Sequence, residues 1–482
     1  MTVGPMPSEF VDPDELRAEF CSALSKMYRS EVPLYGDLVE LVDEINDRAD
    51  EQESWQISDR LKVERHGAIR LGLPSELHTI SRLFRLMGMY PVGYYDLSGC
   101  GVPVHATAFR PTTRSSLSKN PFRVFTSLLR PELIPDAKLR DQVLSILSKR
   151  DIFHPTTRAL ISQAETRGGL TRPETNLLVQ HALETFKWHE EALVPAETYA
   201  RMRAVHPLLA DIAGFRGPHI NHLTPRVLDI DAAQAGMPAR GICPKAIIEG
   251  PPRRLCPILL RQTSFQALTE HIRFPGGGSE GSHRARFGEI ESRGCALTKK
   301  GNLICLHPSN PLHSVPLVAN QHVGHDLYLS LMAESQRTAP PNESNAAHQT
   351  LLHQIFTHRF PDTWTSLRQE GLAFFRYTLI TPPQPLSNNT TLDELIDSGN
   401  IQAEPIVYED FLPASAAGIF RSNLGQEQSE HVQKNIEAEE ESTRKQFEIA
   451  LGRPVEDFCD LYQAMESDSL QAVERTLGYR LR

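Results

Sequence analysis

The stretch Leu61-Lys-Val-Glu-Arg-His66-Gly-Ala-Ile-Arg70-Leu71 opens the segment whose order of elements decides the fold. It reads as a short extended run, and a period of two then puts His66, Ala68 and Arg70 on one face. A potential metal ligand and a cation look the same way. Helical spacing predicts a helix over Glu76–Met87, and extended runs follow at Tyr90–Asp96, Val102–Phe109 and Phe122–Leu129. The order is β-α-β-β-β.

That order recurs downstream. His219-Ile-Asn-His222-Leu-Thr-Pro-Arg-Val-Leu-Asp-Ile230 reads as extended and a short helix is predicted near Asp231–Ala235. Extended runs follow near Ala246–Gly250, at Pro257–Phe265 and at Arg286–Arg293. Pro275-Gly-Gly-Gly-Ser-Glu-Gly281 lacks a Gly-Lys-Ser/Thr ending and a following helix, so it reads as a flexible connection or lid and not as a phosphate cradle. The expected fold class is α+β, with two β-α-β-β-β modules at 59–130 and 217–294. Helical segments surround them: 1–58 with Leu16, Phe20, Leu24 and Met27 at helical spacing, an insertion at 131–216, and C-terminal helices at 426–482. Within the insertion, helices are expected at Leu139–Leu147, Asn176–Phe186 and Ala196–Ala210. Residues 295–425 complete the chain, and Gln336–Gln349 reads as a surface insertion with no packing role.

Composition narrows the function. The 482 residues suffice for two to four units at roughly 100–200 residues each. Hydrophobic residues at 40% and charged residues at 23% exclude collagen-like, coiled-coil and wholly disordered classes. A net charge of −10, without a basic stripe interleaved with aromatics, argues against nucleic acid as a partner. No apolar run reaches the roughly 18–20 residues that span a bilayer, and the N-terminus has no basic region followed by an apolar one, so no membrane association and a cytoplasmic location are expected. Seven scattered cysteines without a CxxC pair speak against a thiolate zinc site or a disulfide framework and are expected to be buried, reduced thiols. Nothing in the sequence indicates an oligomeric state.

Among 19 histidines, spacing alone selects nothing. A strand histidine such as His66 is more often satisfied by backbone, with Arg70 on a solvated face. On a strand, His219 and His222 point to opposite faces, so at most one is a ligand. Glu289 and Glu291 share a face with Phe287 and Arg293, which fits either a buried site or a charged edge. Joint placement favours a site, since a histidine opens each module and a carboxylate occupies the last strand of the second. Two neutral imidazoles and one carboxylate form the facial triad that holds Fe(II) with open positions for substrate and oxygen.

The arrangement resembles the vicinal oxygen chelate superfamily, in which paired β-α-β-β-β modules curl around a metal held by first and last strands. The run Gly288-Glu289-Ile-Glu-Ser-Arg293 is similar to the C-terminal Glu-Ile-Ile-Gln-Arg run of hydroxyphenylpyruvate dioxygenases, whose leading Glu binds iron, and this favours Glu289 over Glu291. A closer resemblance rests on five ordered segments. They are Arg65-His66-Gly-Ala-Ile-Arg70, Asn120-Pro-Phe-Arg-Val-Phe-Thr-Ser127, His219-Ile-Asn-His222-Leu-Thr-Pro-Arg226, Phe287-Gly-Glu289-Ile-Glu291 and Tyr408-Glu-Asp-Phe-Leu-Pro-Ala-Ser-Ala-Ala-Gly-Ile-Phe420. They resemble the 2-oxoadipate dioxygenase/decarboxylases, also called 2-hydroxyglutarate synthases.

This resemblance implies a non-haem Fe(2+) oxidoreductase of lysine catabolism, whose partners are a small 2-oxo diacid, 2-oxoadipate, and O2, and whose products are 2-hydroxyglutarate and CO2. It implies iron on His66, His222 and Glu289 and substrate held by Arg70. Ala414 and Ser415 would line a pocket completed by 295–425, with Gln262 a further pocket candidate. The family carries valine where this chain has Ala414, so the pocket is expected to be slightly roomier and chain-length preference stays open. Two other activities also stay open: a vicinal oxygen chelate lyase or isomerase using Zn or Ni, and a 2-oxo acid dioxygenase of the hydroxyphenylpyruvate type. So does a catalytically silent scaffold.

Overall fold

The computed structural model describes residues 9–50, 60–98, 101–265, 268–276, 280–284, 286–298, 323–338, 345–381, 390–412 and 436–481. They fall into two units, Met1–Lys245 with Thr263–Glu291 and Phe411–Glu456, and Ala246–Gln262 with Ser292–Asp410 and Asp457–Arg482. Both mix helix and sheet.

In the first unit, α1 (Pro13–Glu31) starts at Asp12, whose carboxylate accepts from Asp14 N at 2.8 Å, with proline in the first turn. Leu16, Phe20, Leu24 and Tyr28 recur every four residues and are buried. Pro33 cannot extend α1 and opens α2 (Pro33–Asp50). A helical turn, α3 (Arg60–Val63), occupies the start of the run read as extended, so β1 spans only Arg65–Leu71. Next come α4 (Pro74–Leu86), β2 (Tyr90–Asp96), β3 (Val104–Arg110), α5 (Arg114–Lys119) and β4 (Arg123–Leu129).

These strands and β5 (Leu223–Pro225) form a sheet in the order β2-β3-β4-β1-β5. β1 runs parallel to β4 and antiparallel to β5, which sets His66 opposite Thr224. Every residue of β1, β3 and β4 is buried, as in strands covered on both faces. The cover includes α6 (Ala137–Ser148), through Leu139, Val143 and Leu147. Then come α7 (Pro155–Arg167), α8 (Arg172–Phe186), α9 (Ala196–Val205) and α10 (Pro207–Gly214), the last of which packs Leu209, Ile212 and Ala213 into the same core. The single helix expected over Ala196–Ala210 is two, because Pro207 interrupts the ladder and His206 caps the new start by accepting from Leu208 N at 3.1 Å.

The extended reading of His219–Ile230 survives only as β5, and α11 (Ile230–Gly236) follows. β6 (Leu260–Ser264) pairs with β9 (Glu289–Arg293), while β7 (Thr269–Arg273) and β8 (Glu280–Arg284) form an antiparallel hairpin absent from the sequence reading. Of the Gly-rich stretch read as a flexible connection or lid, Glu280 and Gly281 belong to β8, and residues 277–279 lie outside the described residues. Ala246–Gly250 holds only an isolated bridge, Glu249 to Gln262.

The second unit carries α12 (Val323–Thr338), α13 (Asn345–Thr357), α14 (Trp364–Gln369), β10 (Phe375–Leu379), α15 (Leu392–Asp397) and β11 (Ile401–Pro405), with β10 antiparallel to β11. Gln349, expected to lack a packing role, accepts from Arg261 Nη2 at 3.0 Å and donates to Ile248 O at 3.1 Å. Of the cysteines, Cys21, Cys256, Cys295 and Cys459 are buried free thiols, whereas Cys243 is free but exposed, unlike the expectation. Among the described residues no helix is long and apolar enough to cross a membrane.

Candidate metal centre

β1, the segment entering β5, and β9 each deliver one donor. Ligand atoms of His66, His222 and Glu289 lie within 4.8 Å of one another, and all three residues are buried. His66 Nε2 is 2.9 Å and His222 Nε2 3.9 Å from Glu289 Oε1. His219 and His222 precede the strand, so strand alternation does not apply to them; His222 joins the group with His66 and Glu289, whereas His219 Nε2 is 3.4 Å from Asp211. Glycine at 67 permits this closeness, because a Cβ there would meet the His222 carbonyl at 2.9 Å and the Ile220 side chain at 2.5 Å.

Unsatisfied polar atoms converge on the centre. Neither ring nitrogen of His222 has a hydrogen-bond partner among the described residues, nor does Glu289 Oε2, although all are buried. Burial, partly opposed by the Glu289 carboxylate, pushes His222 down to about 4, so the ring is a neutral lone-pair donor near neutral pH. Burial also opposes ionisation of Glu289, but the His222 and His66 rings outweigh it and hold the carboxylate below its usual range. At His66 burial disfavours the charged ring, and the carboxylates Glu291 and Glu289 outweigh that and raise it. This donor set therefore favours a positive charge at its centre, which a divalent cation would supply in place of the proton.

Glu291 falls on the same strand face as Glu289 but takes the other side of the imidazole. Its Oε2 is 3.0 Å from His66 Nδ1, an ion-pair contact. Thr224 Oγ1 donates to Glu289 Oε1 at 3.1 Å, and the Phe411 and Phe287 rings lie 5.0 Å from His66 and 4.9 Å from His222. From α1, the Tyr28 hydroxyl reaches the carbonyls of Asn221 and Phe287 at 2.9 and 2.8 Å, one next to His222 and the other two before Glu289. Reading the sequence missed Thr224, Phe411 and Tyr28; Thr224 and Phe411 had a signal, since they lie in the quoted His219–Arg226 and Tyr408–Phe420 runs.

Arg70 shares the β1 face with His66 and pairs through Nη1 with Asp211 at 2.6 Å. Its charge is among those acting on His222. Arg293 donates to the carbonyls of Tyr408 and Asp410, both at 2.9 Å. Gln262 belongs to the second unit, with a buried amide that has no hydrogen-bond partner among the described residues. Ala414 and Ser415 lie outside the described residues.

The model of the 2-oxoadipate dioxygenase/decarboxylase family matches residues 20–304 and 317–423. The chain belongs to that family. It is 49% identical to the 2-oxoadipate dioxygenase/decarboxylase of Pseudomonas putida, covering 98% of this chain and 99% of that one. To its Escherichia coli counterpart it is 48% identical, over 95% and 97% of the two chains. A crystal structure of the Pseudomonas putida hydroxyglutarate synthase in complex with 2-oxoadipate superposes with a TM-score of 0.84 at 47% identity, covering 98% of this chain and all of that one. Members of this family are oxidoreductases by name, and this chain is read as an enzyme of that class.

Proposed function

We propose that this chain is a 2-oxoadipate dioxygenase/decarboxylase that converts 2-oxoadipate and O2 to 2-hydroxyglutarate and CO2. The observation that carries the reading is the buried His66, His222 and Glu289 set with its unsatisfied donor atoms. Two neutral imidazoles and a carboxylate suit Fe(II) and leave positions for a chelating 2-oxo acid and oxygen. When bound, the iron supplies activation of dioxygen and polarisation of the 2-oxo acid. The electrons come from the substrate's own oxo acid, so no separate 2-oxo acid is consumed.

The chain's own residues bind and orient. Arg70, on the strand face of His66, pairs with the distal carboxylate of a diacid whose oxo-acid end lies at the metal, and its planar fork suits a carboxylate better than lysine does. Phe411 and Phe287 wall the triad with apolar rings and limit water at the reacting end. Ala414, Ser415 and Gln262 are proposed as substrate contacts on the family resemblance alone. The β1-α4-β2-β3-β4 order and the antiparallel join of β1 to β5 support a vicinal oxygen chelate-like fold with two modules. Free cysteines fit a reducing compartment and a cytoplasmic location.

The test is metal content. His66→Ala, His222→Ala and Glu289→Ala, each purified after loading with Fe(II), should lose bound iron and turnover together. Full iron in a folded His222→Ala protein would refute the ligand set.

A further inference from the structure

The Arg70 guanidinium is built into a buried chain of hydrogen bonds. Nη1 donates to Asp211 Oδ2 at 2.6 Å. Asp211, on α10 and 5% exposed, uses Oδ1 to accept from His283 Nε2 at 2.8 Å. His283, on β8, has Nδ1 2.6 Å from the Tyr199 hydroxyl of α9. One neutral tautomer satisfies the whole chain, with Tyr199 donating to Nδ1 and Nε2–H donating to Asp211. Rings shield it: Trp188 stacks 5.9 Å from the His283 ring and meets His219 edge-on at 4.8 Å, and Phe215 lies 4.9 Å from His283.

Three separate elements thus converge on one side chain of β1. A flexible arginine loses much rotamer freedom when fixed, and a diacid anchored at one end tolerates little misplacement of the group that reads the other. A carboxylate that is itself fixed by His283 removes that freedom before substrate arrives. Arginine has five N–H donors, enough for Asp211 at one edge and a substrate carboxylate at another.

We propose that Asp211, backed by His283 and Tyr199, is the positioning residue that aims Arg70 and so sets the preference for a 2-oxo acid with a second carboxylate. This rests on the reading of Arg70 above. Asp211 acts through Arg70, so its loss should weaken diacid recognition selectively.

The test compares anaerobic binding of 2-oxoadipate and 2-oxohexanoate, in which a methyl group replaces the distal carboxylate, to the metal-loaded full chain by titration calorimetry. Asp211→Asn should weaken 2-oxoadipate on the order of 10-fold, leave 2-oxohexanoate unchanged and keep its metal. Tyr199→Phe should shift the ratio in the same direction by less, and it decides the matter if Asp211→Asn does not fold. If Arg70→Ala keeps the full preference for the diacid, the reading of Arg70 and this inference fall together. If Arg70→Ala removes the preference but a folded Asp211→Asn or Tyr199→Phe retains it, the positioning role alone is wrong. Equal weakening of both ligands by Asp211→Asn also overturns it, since that is the mark of a merely structural prop.

Discussion

At the scale of single residues, the two glutamates of β9 divide the work around one imidazole. Glu289 meets His66 at Nε2 and Glu291 meets it at Nδ1. A carboxylate behind a ligating histidine fixes the ring and raises its basicity, and removing such a partner typically costs on the order of 10–100-fold in metal affinity. Glu291→Gln should therefore keep a metal site but bind Fe(II) more weakly by that factor, whereas Glu289→Gln should lose the site. Competition with a chelator measures both. Equal affinity in Glu291→Gln and the unaltered chain would show that the contact at Nδ1 does not orient the ring.

At the scale of elements, α1 ties together the segments that carry His222 and Glu289. The Tyr28 hydroxyl is shared by two buried carbonyls, of Asn221 and Phe287, and the apolar side chains of α1 lock it in place. Tyr28→Phe should cost about 1–3 kcal/mol of unfolding free energy by removing the hydroxyl that donates to these buried carbonyls. Urea denaturation measures this, and a change under half a kcal/mol would leave α1 as packing alone. The same scale shows what sequence could reveal. β2 to β4 were legible as short runs broken by Gly, Pro and Asn. The hairpin of β7 and β8 was not, because Thr269–Arg273 and Glu280–Arg284 are polar runs that bury one side chain each, Ile272 and His283. Without that hairpin His283 had no place, and the pair Arg70–Asp211, 141 residues apart, carries no local signal. His66, His222 and Glu289 could be named because the sequence reading put a histidine at the opening of each expected module and a carboxylate on the last strand of the second; what surrounds them depends on tertiary contacts that no spacing encodes.

At the scale of the whole molecule, folding confines ionisable groups that the unfolded chain leaves in water. Burial, with the Arg130 charge adding to it, pushes His105 down to about 4. The unfolded chain takes up that proton near ~6.5, so between these values the unfolded state holds more protons and stability falls as pH falls. His105→Gln should flatten the stability profile of the metal-free protein between pH ~6.5 and ~4 by up to about 1.4 kcal/mol per pH unit. Urea midpoints for the two proteins at several pH values check this, and parallel profiles would contradict it. Comparing variant with parent cancels the opposite contribution of His66, whose raised value favours the folded state at low pH.

One assay joins the metal centre to the overall reaction. The full chain, freed of metal and reloaded with Fe(II), is given 2-oxoadipate in a closed oxygen-electrode cell while 2-hydroxyglutarate and CO2 are quantified. One O2 should be consumed for each 2-hydroxyglutarate and each CO2 formed, with no turnover without oxygen or with zinc in place of iron. Turnover of 2-oxoadipate under strict anaerobiosis, or no oxygen uptake by iron-loaded protein, would contradict it.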